Sequence, residues 1–283
     1  MTATEAALSG LIDYAGLYPP AALDIHAAVR NYLGYLEQKH AWVLGRFIVD
    51  VGRLDELREA AGTALSRMRL SVIAPATANA SLIARHIEAG IRIESVEIKC
   101  DEPLAMARTC DALPPNLECY FEVPLQQVCC GAGDAIAAVG ARAKLRMGGV
   151  VPEAIPASQQ VVEQLQLLAH RSVPFKATAG LHHPVRSRHH LSYEPDSPAG
   201  TMHGFINLFC AAAVLCFDGI AEEARDLLGE ENPGAFRITA QDIAARGHQW
   251  SADQLRRVRQ FFISFGSCSF TEPISDLEAL GWL

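Results

Sequence analysis

The chain has no excess of basic residues: its 283 residues carry 24 Lys and Arg against 32 Asp and Glu, a formal net charge of −8. A nucleic-acid surface is therefore not expected, because no cationic surplus exists to displace phosphate counterions. Cysteine is sparse, with eight residues at 100, 110, 119, 129, 130, 210, 216 and 268 and no C-x-x-C spacing. Neither a disulfide scaffold nor a zinc site is expected from them; reduced, mostly buried thiols are. Long apolar runs are missing too, the longest (209–217) being about half of what a membrane span needs. Glu5, Asp13 and Asp24 interrupt the first thirty residues, so no signal-peptide core is expected and the chain reads as cytoplasmic, with no membrane partner. There is no internal repeat, low-complexity tract or domain-separating linker.

What is present is ordinary globular material, 50% hydrophobic and 20% charged, arranged as strand-like runs alternating with helix-like ones. Strand candidates span residues 11–17, 42–50, 69–74, 93–100, 117–123, 142–147, 174–179 and 261–267, each a β-branched or aromatic run ending at Gly, Pro, Asp or Ser. Apolar spacing of 3.6 residues predicts helices over 21–38, 54–68, 78–88, 103–111, 134–141, 158–170, 202–216 and 252–260, with Asp24, Ser158 and Ser251 as caps. Eight such units predict an α/β single domain, a (βα)8 TIM barrel. The last unit is irregular. Residues 181–260 hold a His/Arg/Pro-rich loop, helices, and a short β excursion near 236–240 and 249–250, a stretch placed to build part of a pocket or lid.

Barrel strands should be apolar on both faces, and several here are not. Glu97 and Lys99 share one face of the fourth strand; Glu118, Tyr120 and Glu122 one face of the fifth; Arg142, Lys144 and Arg146 one face of the sixth; and Lys176 with Thr178 one face of the seventh. Arg46 adds a charge to the second. The apolar alternates must face the helices, so the charged set faces the barrel axis. A buried unpaired charge costs several kcal/mol, which leaves two outcomes: a structural ion-pair lattice plugging the barrel, or a pocket at the carboxyl ends of strands four to seven. Function in this fold sits at those ends, so the pocket is expected. Cations outnumber carboxylates in the set, which predicts a small anionic metabolite, phosphate or carboxylate, as partner. The small residues Gly266, Ser267, Cys268 and Ser269, with Gly180 and Gly148-Gly149, are candidates for its cradle.

The runs Lys144-Leu145-Arg146-Met147-Gly148-Gly149, Lys176-Ala177-Thr178-Ala179-Gly180 and Gly266-Ser267-Cys268-Ser269 resemble the class I aldolases of the deoxyribose-phosphate aldolase type. In that family strand six carries a Schiff-base lysine, strand seven a second lysine before a small-residue turn, and strand eight a Gly/Ser phosphate loop. The resemblance covers the second half of the chain. It departs at Leu145-Arg146, where the family places small hydroxyl residues, and in the long segment before strand eight. The whole chain also resembles a set of bacterial proteins of unassigned activity sharing the runs LIDYAGLYPP, PFKATAGLHHP and FGSCSF.

The resemblance implies a lyase acting through a lysine imine, with Lys144 ahead of Lys176 as nucleophile. A lysine attacks only when neutral, and a neighbouring cation favours that state; Lys144, Arg146 and Lys176 supply the arrangement. Glu97 or Glu122 would move protons. Lys99, Arg146, Arg46, His182 and His183 complete the expected binding set. No cofactor is expected on this reading. The alternatives are a divalent metal on His182 or His183 with Glu97 and Glu122, serving an isomerase or enolising enzyme; a phosphoribosyltransferase-like barrel; and a non-catalytic binder of a phosphorylated metabolite. Arg186 and Arg188 are candidates for an anion-gripping lid. Asp13 and Tyr14 suit either the mouth or a plain strand-end turn, and Asp50, Asp101 and Glu102 either a cap or a pocket. Cys129-Cys130 and Cys268 are candidate redox thiols or filler. The apolar tail 277–283 is placed to close the barrel bottom or to contact a second copy in a homo-oligomer.

Overall fold

The computed structural model describes residues 1–75, 80–100, 102–125 and 131–283. Eight parallel strands close a barrel: β1 (Ile12–Tyr14), β2 (Leu44–Asp50), β3 (Leu70–Pro75), β4 (Ile93–Lys99), β5 (Glu118–Glu122), β6 (Arg142–Arg146), β7 (Phe175–Thr178) and, last in the chain, β13 (Phe262–Ser267). Around the ring they run in that order, with β13 joining β7 to β1. Seven lie inside the predicted runs, and β3 extends one residue beyond its run, to Pro75. Their outward alternates, among them Val96, Ile98, Phe121, Leu145, Phe175 and Ala177, are fully buried under the helices, as a sheet covered on both faces requires.

Helices α1 (Ala3–Leu8), α2 (Ile25–Tyr35), α3 (Leu54–Ala61), α4 (Ala80–Glu88), α5 (Pro103–Ala112), α6 (Gly133–Ala138) and α7 (Ser158–His170) intervene before β7. Asp24 caps α2 through a 2.8 Å bond from the Ala27 N–H. Ser158 is not a cap: Ala157 stands there, and the Gln160 side chain accepts the Ala157 N–H at 3.1 Å. The helix predicted over 54–68 stops at Ala61, where Gly62 takes φ +53, and continues as 3₁₀ turns. The start of the helix predicted from 78 and the candidates Asp101 and Cys129-Cys130 lie outside the described residues. Cys100, Cys119, Cys210 and Cys268 are buried free thiols, with Cys110 and Cys216 half-buried. Helix α1 has no counterpart in the apolar spacing; a Thr2–Glu5 capping box starts it.

The segment between β7 and β13 divides between the two ends of the barrel. At the carboxyl ends of the strands, the mouth, it forms a hairpin of β8 (Ser187–His190) and β9 (Ala199–Met202). Helix α8 (Phe205–Cys216) then descends with every residue but Cys216 buried, stacking Phe205 on Phe265 with centroids 4.8 Å apart. After α9 (Ala221–Gly229), strands β10 (Phe236–Ile238), β11 (Asp242–Ala245) and β12 (His248–Ser251) make a small antiparallel sheet at the floor. It bonds α1 through Ala3 N–H to Ala240 O at 2.8 Å. Ser251 then caps α10 (Ala252–Phe261) with Gln254 in a capping box. The chain ends with α11 (Thr271–Ala279), and Trp282 packs edge-on against Phe236, so the apolar tail closes the floor. Among the described residues no helix is long and apolar enough to cross a membrane.

Candidate active site in the barrel

The inward alternates form layers. At the floor, Arg46 pairs with Glu94 at 3.0 Å and Glu118 at 2.8 Å. Arg69 and Arg92 also hold Glu94, and Arg142 holds Glu118. Burial raises the Glu94 carboxyl, but its arginine partners pull it down to about 2. Arg46, expected at the binding site, is thus a member of a structural lattice at the opposite end. Its face was legible, its height was not. Glu94 reaches the lattice because the β3–β4 register shifts between Leu70 and Ser71, turning an outward alternate inward.

Above the lattice, the register places Glu122 beside Lys144 and Lys144 beside Lys176 on adjoining strands. Lys176 Nζ donates to Asp13 Oδ2 and Glu97 Oε1, both at 2.6 Å, and lies over the Tyr120 ring, 5.4 Å from its centroid. Asp13 also accepts from Ser264 Oγ at 2.7 Å and the Arg46 N–H at 2.7 Å. Ser71 Oγ donates to Glu97 at 2.5 Å and accepts from Ser95 Oγ at 2.7 Å. Lys144 Nζ then lies 2.8 Å from the other Glu97 oxygen and 2.7 Å from Glu122 Oε2. Arg146 clasps the remaining Glu122 oxygen with Nε and Nη2 at 3.1 and 3.0 Å. The result is a ladder of alternating sign: Asp13, Lys176, Glu97, Lys144, Glu122, Arg146.

The two lysines are joined by a carboxylate rather than left as bare neighbouring cations, which corrects the expected electrostatics. Burial works against the charge on Lys176, yet Asp13 and Glu97 hold its ammonium above the usual lysine range. Burial likewise raises Glu97, and Lys144 and Lys176 outweigh it, keeping its carboxyl below the usual range. Glu122 is lowered for the same reasons, with Lys144 the main partner and Arg146 second. The expected cationic excess shrinks accordingly: Asp13, Glu94 and Glu118 neutralise much of it. Among the described residues Lys99 alone of the predicted axial cations has no acidic partner within 4.0 Å.

Lys99 and Arg146 line a cavity of about 460 Å³ at the exits of β4 to β6, with Glu122, Pro124, Leu125, Ile155 and Gln160. The exits of β7 and β13 are closed by comparison. A cavity of about 30 Å³ there, between Pro20, His182, His183, Tyr193 and Glu272, has room for no more than a water or two. Ser267 Oγ accepts the Ser269 N–H at 3.4 Å, Ser269 Oγ accepts the Glu272 N–H at 3.1 Å at the start of α11, and Cys268 Sγ lies 3.6 Å from the Tyr193 hydroxyl. The expected cradle residues are thus engaged in building a turn, with Cys268 in contact with the tip of the hairpin. Gly266 faces the axis, where an added Cβ would sit 3.2 Å from Ile48 Cδ1. Gly180, at φ +68, crosses Gly148 so closely that a Cβ would lie 2.9 Å from the Gly148 Cα. Gly180→Ala is therefore expected to cost about 1–3 kcal/mol in urea unfolding; an unchanged midpoint would show that the crossing relaxes freely.

His182 Nδ1 meets Glu272 at 3.1 Å, and His183 Nδ1 meets Asp276 at 2.6 Å while its ring stacks on His189 at 3.5 Å. Their carboxylate partners thus come from α11, not from Glu97 and Glu122, so the metal set expected from sequence is not brought together. Among the described residues no group of three or more His, Cys, Asp or Glu is arranged to hold a metal ion. Arg186 turns to Glu231 and His203, and Arg188 points into solvent from the hairpin. Asp50 serves as a cap, accepting the Gly52 N–H at 2.8 Å. Tyr14 is buried outside the axis against Tyr32 and Phe47.

Sequence reasoning left Asp13 between two roles, placed Tyr120 on the inward face without giving it one, and passed over Ser71, Ser95 and Ser264. The first strand is only three residues long, too short to show alternation, and serine on a strand carries no charge signal. In comparisons with known proteins, no family model matches this sequence and no curated relative does.

Proposed function

We propose that the protein is a lyase of the class I aldolase type, in which Lys144 forms an imine with a small carbonyl compound bearing a phosphate or carboxylate. The observation that carries this reading is the gradient of exposure along the ladder. Side-chain exposure rises from 0% at Lys176 through 6% at Lys144 and 16% at Glu122 to 55% at Arg146. Both lysines stand between two carboxylates, but Lys144 is the one nearest the cavity, while Lys176 is sealed. A nucleophilic amine has to reach a substrate carbon; of the two lysines only Lys144 has any opening to the cavity side.

Glu122, 2.7 Å from Lys144 and facing the cavity, takes the ammonium proton and afterwards serves the substrate carbon. Glu97 is fixed by Ser71 and both lysines, which makes it the residue that positions Lys144 rather than a mobile base. Lys99 and the open edge of Arg146 supply charge for the substrate's anionic group. The iminium then draws electrons from the bond to be cleaved or formed.

Borohydride reduction in the presence of acetaldehyde, pyruvate or glyceraldehyde 3-phosphate, followed by intact mass and peptide mapping, tests the reading. A reduced adduct on Lys144, missing from Lys144→Ala, is expected with at least one of the three. No adduct with any of them, or an adduct confined to Lys176, would end it.

A further inference from the structure

The lining of the cavity at the exits of β4 to β6 has two parts. One comes from the strands: Lys99, which stands beside Glu122 in the β4–β5 register, and Arg146, whose Nε and Nη2 are already given to Glu122. The other comes from the loop between β6 and α7 and includes Glu153 and Pro156. That loop is fixed in place. The Ala154 N–H donates to Val151 O and the Ile155 N–H to Pro152 O, both at 3.1 Å, and Pro156 O accepts from His203 Nε2 at 2.8 Å. Among the described residues neither Glu153 nor Lys99 has a hydrogen bond or an ion pair. The cavity thus presents one unpaired ammonium and one unpaired carboxylate, while Arg146 and Glu122 answer each other.

An unpaired charge at a surface costs little, because water serves it, and neither group alone marks a site. Lining one cavity with opposite signs, they set what a ligand must bring: an anionic group for Lys99 and a hydrogen-bond donor for Glu153. The balance of charge selects the anion. Lys99 and Arg146 are matched one for one by Glu122 and Glu153, so the lining has no net charge to offer a phosphate dianion. A single carboxylate needs only Lys99 and the open edge of Arg146. The turn from Gly266 to Ser269, where sequence places a phosphate, is occupied by its own hydrogen bonds and by Tyr193.

We infer that Glu153 is a specificity-determining residue and that the substrate is a carboxylate rather than a phosphate ester, with a hydroxyl or ammonium group at its far end donating to Glu153. The inference rests on the imine reading for making this ligand a substrate. A ligand held at both ends has fewer ways to misplace its carbonyl.

Binding of butyrate, 4-hydroxybutyrate, 4-aminobutyrate and inorganic phosphate to the full chain, read by calorimetry, needs no imine, since none of the four has an aldehyde or ketone. At least one of the two substituted acids should bind roughly tenfold tighter than butyrate, and phosphate more weakly than that acid; the tighter of the two tells hydroxyl from ammonium. Glu153→Ala, a change on an exposed turn, should bring the favoured acid down to the level of butyrate and leave butyrate bound no more weakly than before. Lys99→Met should abolish binding of all three acids. Three equal acids, a preference that survives Glu153→Ala, acids that bind Lys99→Met unchanged, phosphate as the tightest ligand, or no binding at all would each overturn the inference. The borohydride experiment judges the imine separately. A Lys144 adduct beside any of those outcomes leaves the imine standing without this specificity; binding as expected without any adduct leaves the carboxylate site and removes the imine.

Discussion

Replacing Lys176 with methionine is expected to remove about 3–5 kcal/mol of folding stability, a large share of the roughly 5–15 kcal/mol typical of a domain. Lys176 is fully buried and bonds Asp13 and Glu97 at 2.6 Å each. Methionine fills similar space but leaves two buried carboxylates, on strands far apart around the ring, without their shared cation. The loss arises from those stranded charges rather than from the ion pair's own net worth. Adding Asp13→Asn and Glu97→Gln to Lys176→Met should therefore recover part of the stability, even though two more native groups are gone. Urea unfolding of the three proteins checks this. A single variant as stable as the native chain would show that water reaches the ladder's inner end.

Acid should unfold the protein in a defined window. Glu94 is drawn down to about 2 against the opposing effect of burial, and Glu97, Glu118 and Glu122 are all lowered. A carboxyl whose folded pKa lies below its unfolded one contributes stability that is fully present above the unfolded value. That stability is lost as pH falls through the folded value. Unfolding free energy is thus expected to hold steady from neutral pH to about 5 and to fall continuously toward pH 2, with Glu94 alone contributing roughly 2 kcal/mol after solvent screening. Lys176 has the opposite sign: its raised value contributes stability that is complete below the ordinary lysine range and is lost only at strongly alkaline pH. Urea midpoints at pH 7, 5, 4 and 3 test the window. A flat profile across it would mean that the carboxylates are as well served in the unfolded chain.

The barrel was legible because charged and apolar residues alternate so plainly on β4 to β7 that each strand declares its faces. Alternation says which way a side chain points; it does not say how deep in the cylinder it lies. Depth follows from the stagger between neighbouring strands, which no single strand encodes, and this is why Arg46 was grouped with Lys144 although it lies at the floor. Glu94 was hidden by a register shift. Asp13 was ambiguous on a three-residue strand. The partners of His182 and His183 come from Glu272 and Asp276, some ninety residues on, and nothing local to the histidines points there. Depth also separates the charges themselves: the lower ones form a paired lattice, while Lys99, Glu122 and Arg146 at the top border open space.

The connection between β7 and β13 touches both rims of the barrel, and this restricts how the site can be refashioned. Its first portion, through the hairpin of β8 and β9, contributes wall to the mouth and is anchored both by Glu272 and Asp276 of α11 and by Asn207 of α8. Its later portion, from α8 to β12, is foundation: an almost wholly buried helix and a small sheet bonded to α1. A transplanted loop that treats residues 181–204 as one cassette leaves that foundation intact only if it keeps the bonds of Arg186 to Asn207 and of Pro184 to Ile206. One that extends past Phe205 exchanges specificity and architecture together.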